Sequence, residues 1–268
     1  MFSFFKKKKI IPHIRLSGVI GSAGRFKQGI DFSGQQEIIK KAFSFKKAKC
    51  IAVSINSPGG SPVQSHLIHD YIKQLAKKNK KKVIIFAEDV AASGGYLIAC
   101  AGDEIYANSS SIVGSIGVIS ASFGFSEAIS KVGVERRVYT TGKSKGSLDP
   151  FKPEKPEDVR MLKNIMNDTQ EAFVDLVNLR RGSKLSDDDS IFTGAFWSGE
   201  KALKLGLIDG IGEIRTVLRQ RFGNKVKLKF INKKKSFISG LVQGFSSPII
   251  NSIINEIENN AHWKRFGL

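Results

Sequence analysis

Cysteine is nearly absent from this chain: Cys50 and Cys100 are the two in 268 residues. One pair cannot make the disulfide framework of a small secreted domain, and both lie in apolar runs, which places them in a core and fits a reducing compartment. Histidine is scarce as well, with only His13, His66, His69 and His262. None of the four stands in a glycine-bounded segment, which disfavours a serine-histidine-aspartate triad. His66 and His69 share a helical face, but no acidic or cysteine set completes a metal site around them. They read as surface or packing residues, and no metal or other cofactor is expected. Acidic residues are outnumbered, 24 to 43 lysines and arginines, for a net charge of +19. The excess is spread over lysine clusters at residues 6–9, 77–82 and 233–235, with no interleaved aromatics. That pattern argues against specific nucleic-acid binding; it reads first as solvated surface and second as attraction to an anionic membrane.

Long apolar runs are missing too. Residues 1–5 precede their basic cluster instead of following it, and no apolar core region comes after, so the start does not read as a secretory signal. It reads as a solvated terminus or a weak interfacial anchor. Residues 236–255 carry no charge, yet their serines, asparagines, glycines and Pro248 make a poor membrane span. Attachment to a membrane surface and packing against a subunit or core both remain open for them. The expected layout is a basic N-terminal segment over 1–13, a folded domain over 14–231 and a C-terminal tail over 232–268. The expected location is cytoplasmic, with peripheral contact at the inner membrane face.

What the chain does contain is alternation. Strand-like runs at 14–20, 50–55, 83–87, 104–107, 112–119, 134–140 and 225–231 are separated by helical stretches at 36–45, 63–76, 96–101, 127–132, 157–180, 199–205 and 213–222. Such a pattern predicts one α/β domain, a mostly parallel sheet flanked by helices, with the last strand at an edge. Residues 186–189, a serine and three aspartates, read as capping and turn chemistry.

Two sharp turns each close a strand and open a helix. At Ala92-Ser93-Gly94-Gly95-Tyr96 the serine stands where unpaired amides and the helix dipole stabilise an alkoxide and a neighbouring oxyanion. Taken alone it reads first as an ordinary helix-capping serine followed by flexible glycines. At Asn56-Ser57-Pro58-Gly59-Gly60-Ser61-Pro62 a proline and paired glycines expose backbone amides that can supply one donor of an oxyanion hole, Gly94 supplying the other. A nucleophilic Ser93 needs a base. With histidine disfavoured, lysine is the better candidate, and its pKa must fall from about 10.4 towards 7, a shift of roughly 4 to 5 kcal/mol. Composition does not choose among so many lysines.

The pieces Ser57-Pro58-Gly59-Gly60, Ala92-Ser93-Gly94-Gly95-Tyr96, Gly114-Ser115-Ile116-Gly117-Val118 and Trp197-Ser198-Gly199-Glu200-Lys201-Ala202 through Gly206-Leu207-Ile208-Asp209, in this order, resemble the signal peptide peptidase SppA family. The resemblance covers residues 14–212 and looks like a short, single-domain form without a transmembrane anchor. It implies a serine-lysine peptidase on the Clp/crotonase fold, built of repeated ββα layers, that cleaves extended peptides such as signal-peptide remnants or misfolded and membrane proteins. It puts the nucleophile at Ser93, the general base at Lys145 with Lys143 as rival, the oxyanion amides at Gly60 and Gly94, and at Ser115 a serine that orients the lysine amine. It also implies a homo-oligomeric ring whose sites lie near subunit interfaces. Two other readings are a crotonase-type acyl-CoA enzyme and a catalytically idle ring that scaffolds membrane proteins.

Overall fold

The computed structural model describes residues 9–21, 29–142, 144–232 and 261–268. The basic start, the residues after Gly21, Lys143 and the uncharged stretch 236–255 therefore lie outside the described residues.

In chain order the elements are β1 (Ile10–Ser17), α1 (Phe32–Phe43), β2 (Cys50–Ser57), α2 (Pro62–Asn79), β3 (Lys82–Ala92), α3 (Gly94–Ala99), β4 (Glu104–Ala107), β5 (Ile112–Gly114), α4 (Ser126–Lys131), α5 (Pro156–Arg181), β6 (Phe196–Ser198), α6 (Gly199–Lys204), β7 (Gly210–Ile211), α7 (Ile214–Phe222) and β8 (Lys227–Phe230). The strands form one sheet in the order β6-β5-β3-β2-β1-β8, with β4 also on β3 and β7 on β4. Every pairing is parallel except β5 with β6. This is the helix-flanked, mostly parallel sheet that the alternation predicts, and β8 is at its edge.

Buried strands read as continuous apolar runs because both faces are covered. All eight residues of β2 are buried. Its odd-numbered residues Ile51, Val53 and Ile55 join the main core with α1, α2, α3 and the end of α5. Its even-numbered Cys50 and Ala52 join a second core under α7. A third, small cluster forms where Val90 and Ala92 of β3 meet Phe266.

β3 is the strand that positions the site, and it is irregular. Ile55 pairs with Ala87 but Ser57 pairs with Ala91, so Glu88, Asp89 and Val90 oppose the single residue Asn56. Such a bulge bends a strand and re-aims the residues beyond it. Asn56 takes over the lost ladder bonds: its side-chain carbonyl accepts from the Val90 amide (3.1 Å) and its amide donates to Asp89 (2.7 Å). Before the bulge β3 pairs with β4, after it with β5.

Three expectations give way. The strand predicted at 112–119 ends at Gly114, because Gly114 and Ser115 both take positive φ (112° and 53°), which breaks the pleat. The run at 134–140 is not a strand: Val134 and Tyr139 are exposed, and among the described residues no neighbour offers it a ladder. Lys81, from one of the lysine clusters, is buried, and its amine donates to the carbonyls of Phe43 and Phe45 (2.6 and 2.7 Å), closing the C-terminal end of α1.

Candidate active site

Ser93 follows β3 directly and precedes α3, a six-residue helix all of whose residues are buried. Its backbone takes φ 51° and ψ −123°, a conformation that a non-glycine residue holds only where its surroundings over-determine it. The side chain makes no capping hydrogen bond, so the hydroxyl is not spent on the helix start. The ordinary capping role that the sequence left open is thereby removed.

The glycine turn after β2 lies against this serine. A Cβ on Gly59, at φ 105°, would stand 2.7 Å from the Ser93 Cβ. A Cβ on Gly60, at φ 138°, would stand 2.0 Å from the Ile20 carbonyl oxygen. Neither position admits a side chain. The turn is held by Ile20, whose amide donates to the Gly59 carbonyl and whose carbonyl accepts from Ser61, both at 2.8 Å. The amides of Gly60 and Gly94 have no hydrogen-bond partner among the described residues. Two unpaired donors beside an unspent hydroxyl can stabilise a developing oxyanion.

Ser115 belongs to the neighbouring strand end. Ala92 pairs with Gly114, and the next residue in each strand is a serine with positive φ. The Ser93 amide donates to the Gly114 carbonyl (2.8 Å), and the Ser115 amide to the Ala195 carbonyl ahead of β6 (2.6 Å). Ser115 is buried. From α5, the Gln170 side chain donates to the carbonyls of Ile116 and Phe192 (3.3 and 3.1 Å), tying this segment in place.

Lys145 stands apart. It is exposed, and among the described residues no hydrogen bond or ion pair joins its amine to Ser93 or to any other group. It lies on an arm, residues 119–155, that leaves the sheet after β5 and returns at α5. Within the arm Phe125 stacks on Phe151 (5.5 Å between centroids) and Arg136 bonds to Asp149 (2.9 Å), but none of its described residues is buried. Helix α4, within it, buries no residue. Ile119, Phe123, Val132, Val134 and Tyr139 are left exposed, Tyr139 at 89%.

The model of peptidase family S49 matches residues 75–228, a stretch that contains Ser93, Ser115, the arm and the motif around residues 197–209. The chain belongs to peptidase family S49. The Clp protease model matches residues 27–113, in accord with the sheet described above. Relatives of this S49 chain include the Serine protease SPPA, chloroplastic, of Arabidopsis thaliana, 30% identical over 86% of this chain and 36% of that protein. Protease 4 of Haemophilus influenzae is 30% identical over 68% of the chain and 29% of that protein. A Brucella abortus protein named Na(+)/H(+) antiporter NhaA is 48% identical over 96% of the chain. The match spans 37% of that Brucella protein. The S49 chain thus spans about a third of the length of these relatives. Among its described residues no helix is long and apolar enough to cross a membrane.

Several residues of the S49 motifs are structural. Tyr96, fully buried, donates its hydroxyl to the Leu207 carbonyl (2.8 Å). Arg181 donates to the Gly206 carbonyl and to Asp209 (2.7 Å), and Asp209 also accepts from Lys184 and from the Ile105 amide. Gly206 is obligatory, since a Cβ there would fall 1.8 Å from the Lys184 carbonyl oxygen. Neither cysteine competes with Ser93 as nucleophile: burial pushes the thiols of Cys50 and Cys100 up to about 11 and about 12. A cavity of about 930 Å³ opens on the sheet face away from α3, lined in part by His13, Ser54, Glu88, Arg215 and Leu268. His13 and Ser54 share a hydrogen bond of 2.8 Å there, but Ser54 sits mid-strand between β1 and β3, whose ladders use the surrounding amides. That pair has no oxyanion donors.

The sequence did not reveal that Gly59 lies against Ser93, because paired glycines look alike until φ and contacts separate them. Gln170 carries no motif, and only its packing marks it.

Proposed function

We propose that this chain is a serine endopeptidase with Ser93 as nucleophile and Lys145 as general base, hydrolysing extended peptides through an acyl-enzyme. The observation that carries the reading is the free Ser93 hydroxyl, held at positive φ between the glycine turn of β2 and the start of α3. Neutral Lys145 takes the Ser93 proton as the oxygen attacks the carbonyl. The amides of Gly60 and Gly94 hold the oxyanion, and Ser115 orients the amine. Lys145 then protonates the leaving amine and activates water for deacylation.

The exposure of Lys145 supports a further part of this reading, that the dyad is completed between neighbouring copies in a homo-oligomeric ring. A lysine becomes a base at neutral pH when it is desolvated. Seating the exposed apolar arm on an adjacent copy would bury it, and would cover the arm's apolar surface in the same step. Lys143 is the alternative base.

The test is cleavage of a denatured protein or a signal-sequence peptide by wild type, Ser93→Ala, Lys145→Ala and Lys143→Ala. The first two variants are expected to lose activity by about a thousandfold or more while keeping their assembly, and the third to keep it. Full activity in Lys145→Ala would overturn the base assignment, and no cleavage by wild type across several substrates would favour the idle scaffold.

A further inference from the structure

Phe266 is far from Ser93 in sequence, yet it packs on Ala92, the residue before that serine. The described residues 261–268 form one helical turn and a reversal, closed by the amides of Phe266 and Leu268 on the Trp263 carbonyl (2.9 and 3.3 Å). This hook lays Phe266, 8% exposed, against Val90 and Ala92, with Trp263 and Ile112 packed around them. The Phe266 ring also meets the Phe196 ring edge-on, 5.0 Å between centroids. Ala92 immediately precedes Ser93. Phe196 pairs with Gly114 and directly follows Ala195, whose carbonyl holds the Ser115 amide. One aromatic side chain therefore backs both strand ends that carry the two strained serines.

We propose that the hook at residues 261–268 is a positioning element for Ser93, acting through Phe266 on Ala92 and Phe196. Strained backbone persists only while contacts on every side hold it. In front of Ser93 stand Gly59 and the buried α3; behind it, among the described residues, Val90 and Ala92 pack in the small cluster around Phe266. With the ring removed, a void opens under Ala92, and the strand end gains room to relax towards ordinary φ. The hydroxyl then leaves the line of attack while the substrate groove keeps its shape. A displacement of order 1 Å at a reacting group costs up to about a hundredfold in rate.

The inference rests on the nucleophile assignment above, and its test separates the two. In the full-length protein, the series Phe266→Leu, Phe266→Val and Phe266→Ala is compared with wild type for the rate of Ser93 labelling by a fluorophosphonate, for kcat and KM on one peptide, and for assembly. The expected result is a labelling rate and kcat that fall in step with the volume removed, to about a tenth in Phe266→Ala, with KM and assembly unchanged and Phe266→Leu close to wild type. The graded series keeps the test decisive if the alanine variant does not fold. A wild type that labels at Ser93 together with a flat series, or with a loss confined to KM or assembly, overturns the hook alone. A wild type whose labelling survives Ser93→Ala overturns the nucleophile assignment, and the hook falls with it.

Discussion

Asp209 is a carboxylate in a place that opposes its charge. Burial acts to raise its pKa, but hydrogen bonds from Arg181 and Lys184 outweigh that and hold it below the usual carboxylate range. Its contribution to stability is present above the ordinary value of 3.8 and is lost as pH falls through the lowered one. Asp209→Asn leaves the buried Arg181 without its counter-charge and is expected to cost about 3 kcal/mol, measured as a shift of the urea midpoint at pH 7. Two histidines work at milder pH. Burial lowers the pKa of His69, whose Nε2 has no partner among the described residues, and that of His13. An unfolded chain then binds more protons, so stability is expected to fall as pH drops below the ordinary 6.5, readable as a lower urea midpoint at pH 5.5 than at pH 7. At this scale the sequence was legible in the two turns themselves, which carry Ser93 and Gly60 where the strand-to-helix pattern put them. It was not legible at Lys81 or Asn56. Their roles depend on which carbonyls and amides the fold leaves unpaired, and no local pattern records that.

The arm from 119 to 155 is the element that the chain does not finish. It stacks Phe125 on Phe151 but leaves Ile119, Phe123, Val132, Val134 and Tyr139 in solvent. Replacing Val132 and Tyr139 together by aspartate is expected to shrink the assembly on gel filtration and to abolish cleavage. The melting of the isolated chain should change little, since exposed substitutions away from packing are typically worth about 0.5 kcal/mol or less. An unchanged oligomer would show that the arm does not join copies. The strand expected at 134–140 failed for the same reason: its β-branched and aromatic residues signal a surface to be covered, and sequence does not say whether a ladder or another molecule covers it. The long α5 was plain from its flanking prolines and its length. The bulge in β3 was invisible, because Glu88-Asp89-Val90 reads as the end of a strand.

At the scale of the whole molecule, the order of strands and helices came from apolar runs of the right length, and the family motifs fell in their expected places. What the sequence could not give is the relation between Ser93 and Lys145, which one chain leaves unjoined. If neighbouring copies supply them, Ser93→Ala and Lys145→Ala proteins, each inactive, are expected to complement when mixed and reassembled. For equal, random mixing, about a quarter of the sites receive both intact groups, and activity should recover to about that fraction of wild type. No recovery would mean that each chain completes its own site.

The break in β3 also bears on descent. Because the strand trades β4 for β5 across Glu88, Asp89 and Val90, the aim of Ser93 depends on the number of residues in that short stretch. Losing one of the three would turn the serine to the opposite side of the sheet, since neighbouring strand residues face alternate ways. Before the break β3 would keep its pairing with β2 and β4, while Ala91 and Ala92 would lose their present partners Ser57, Val113 and Gly114. Most of the sheet would thus outlast a single lost codon that redirects Ser93.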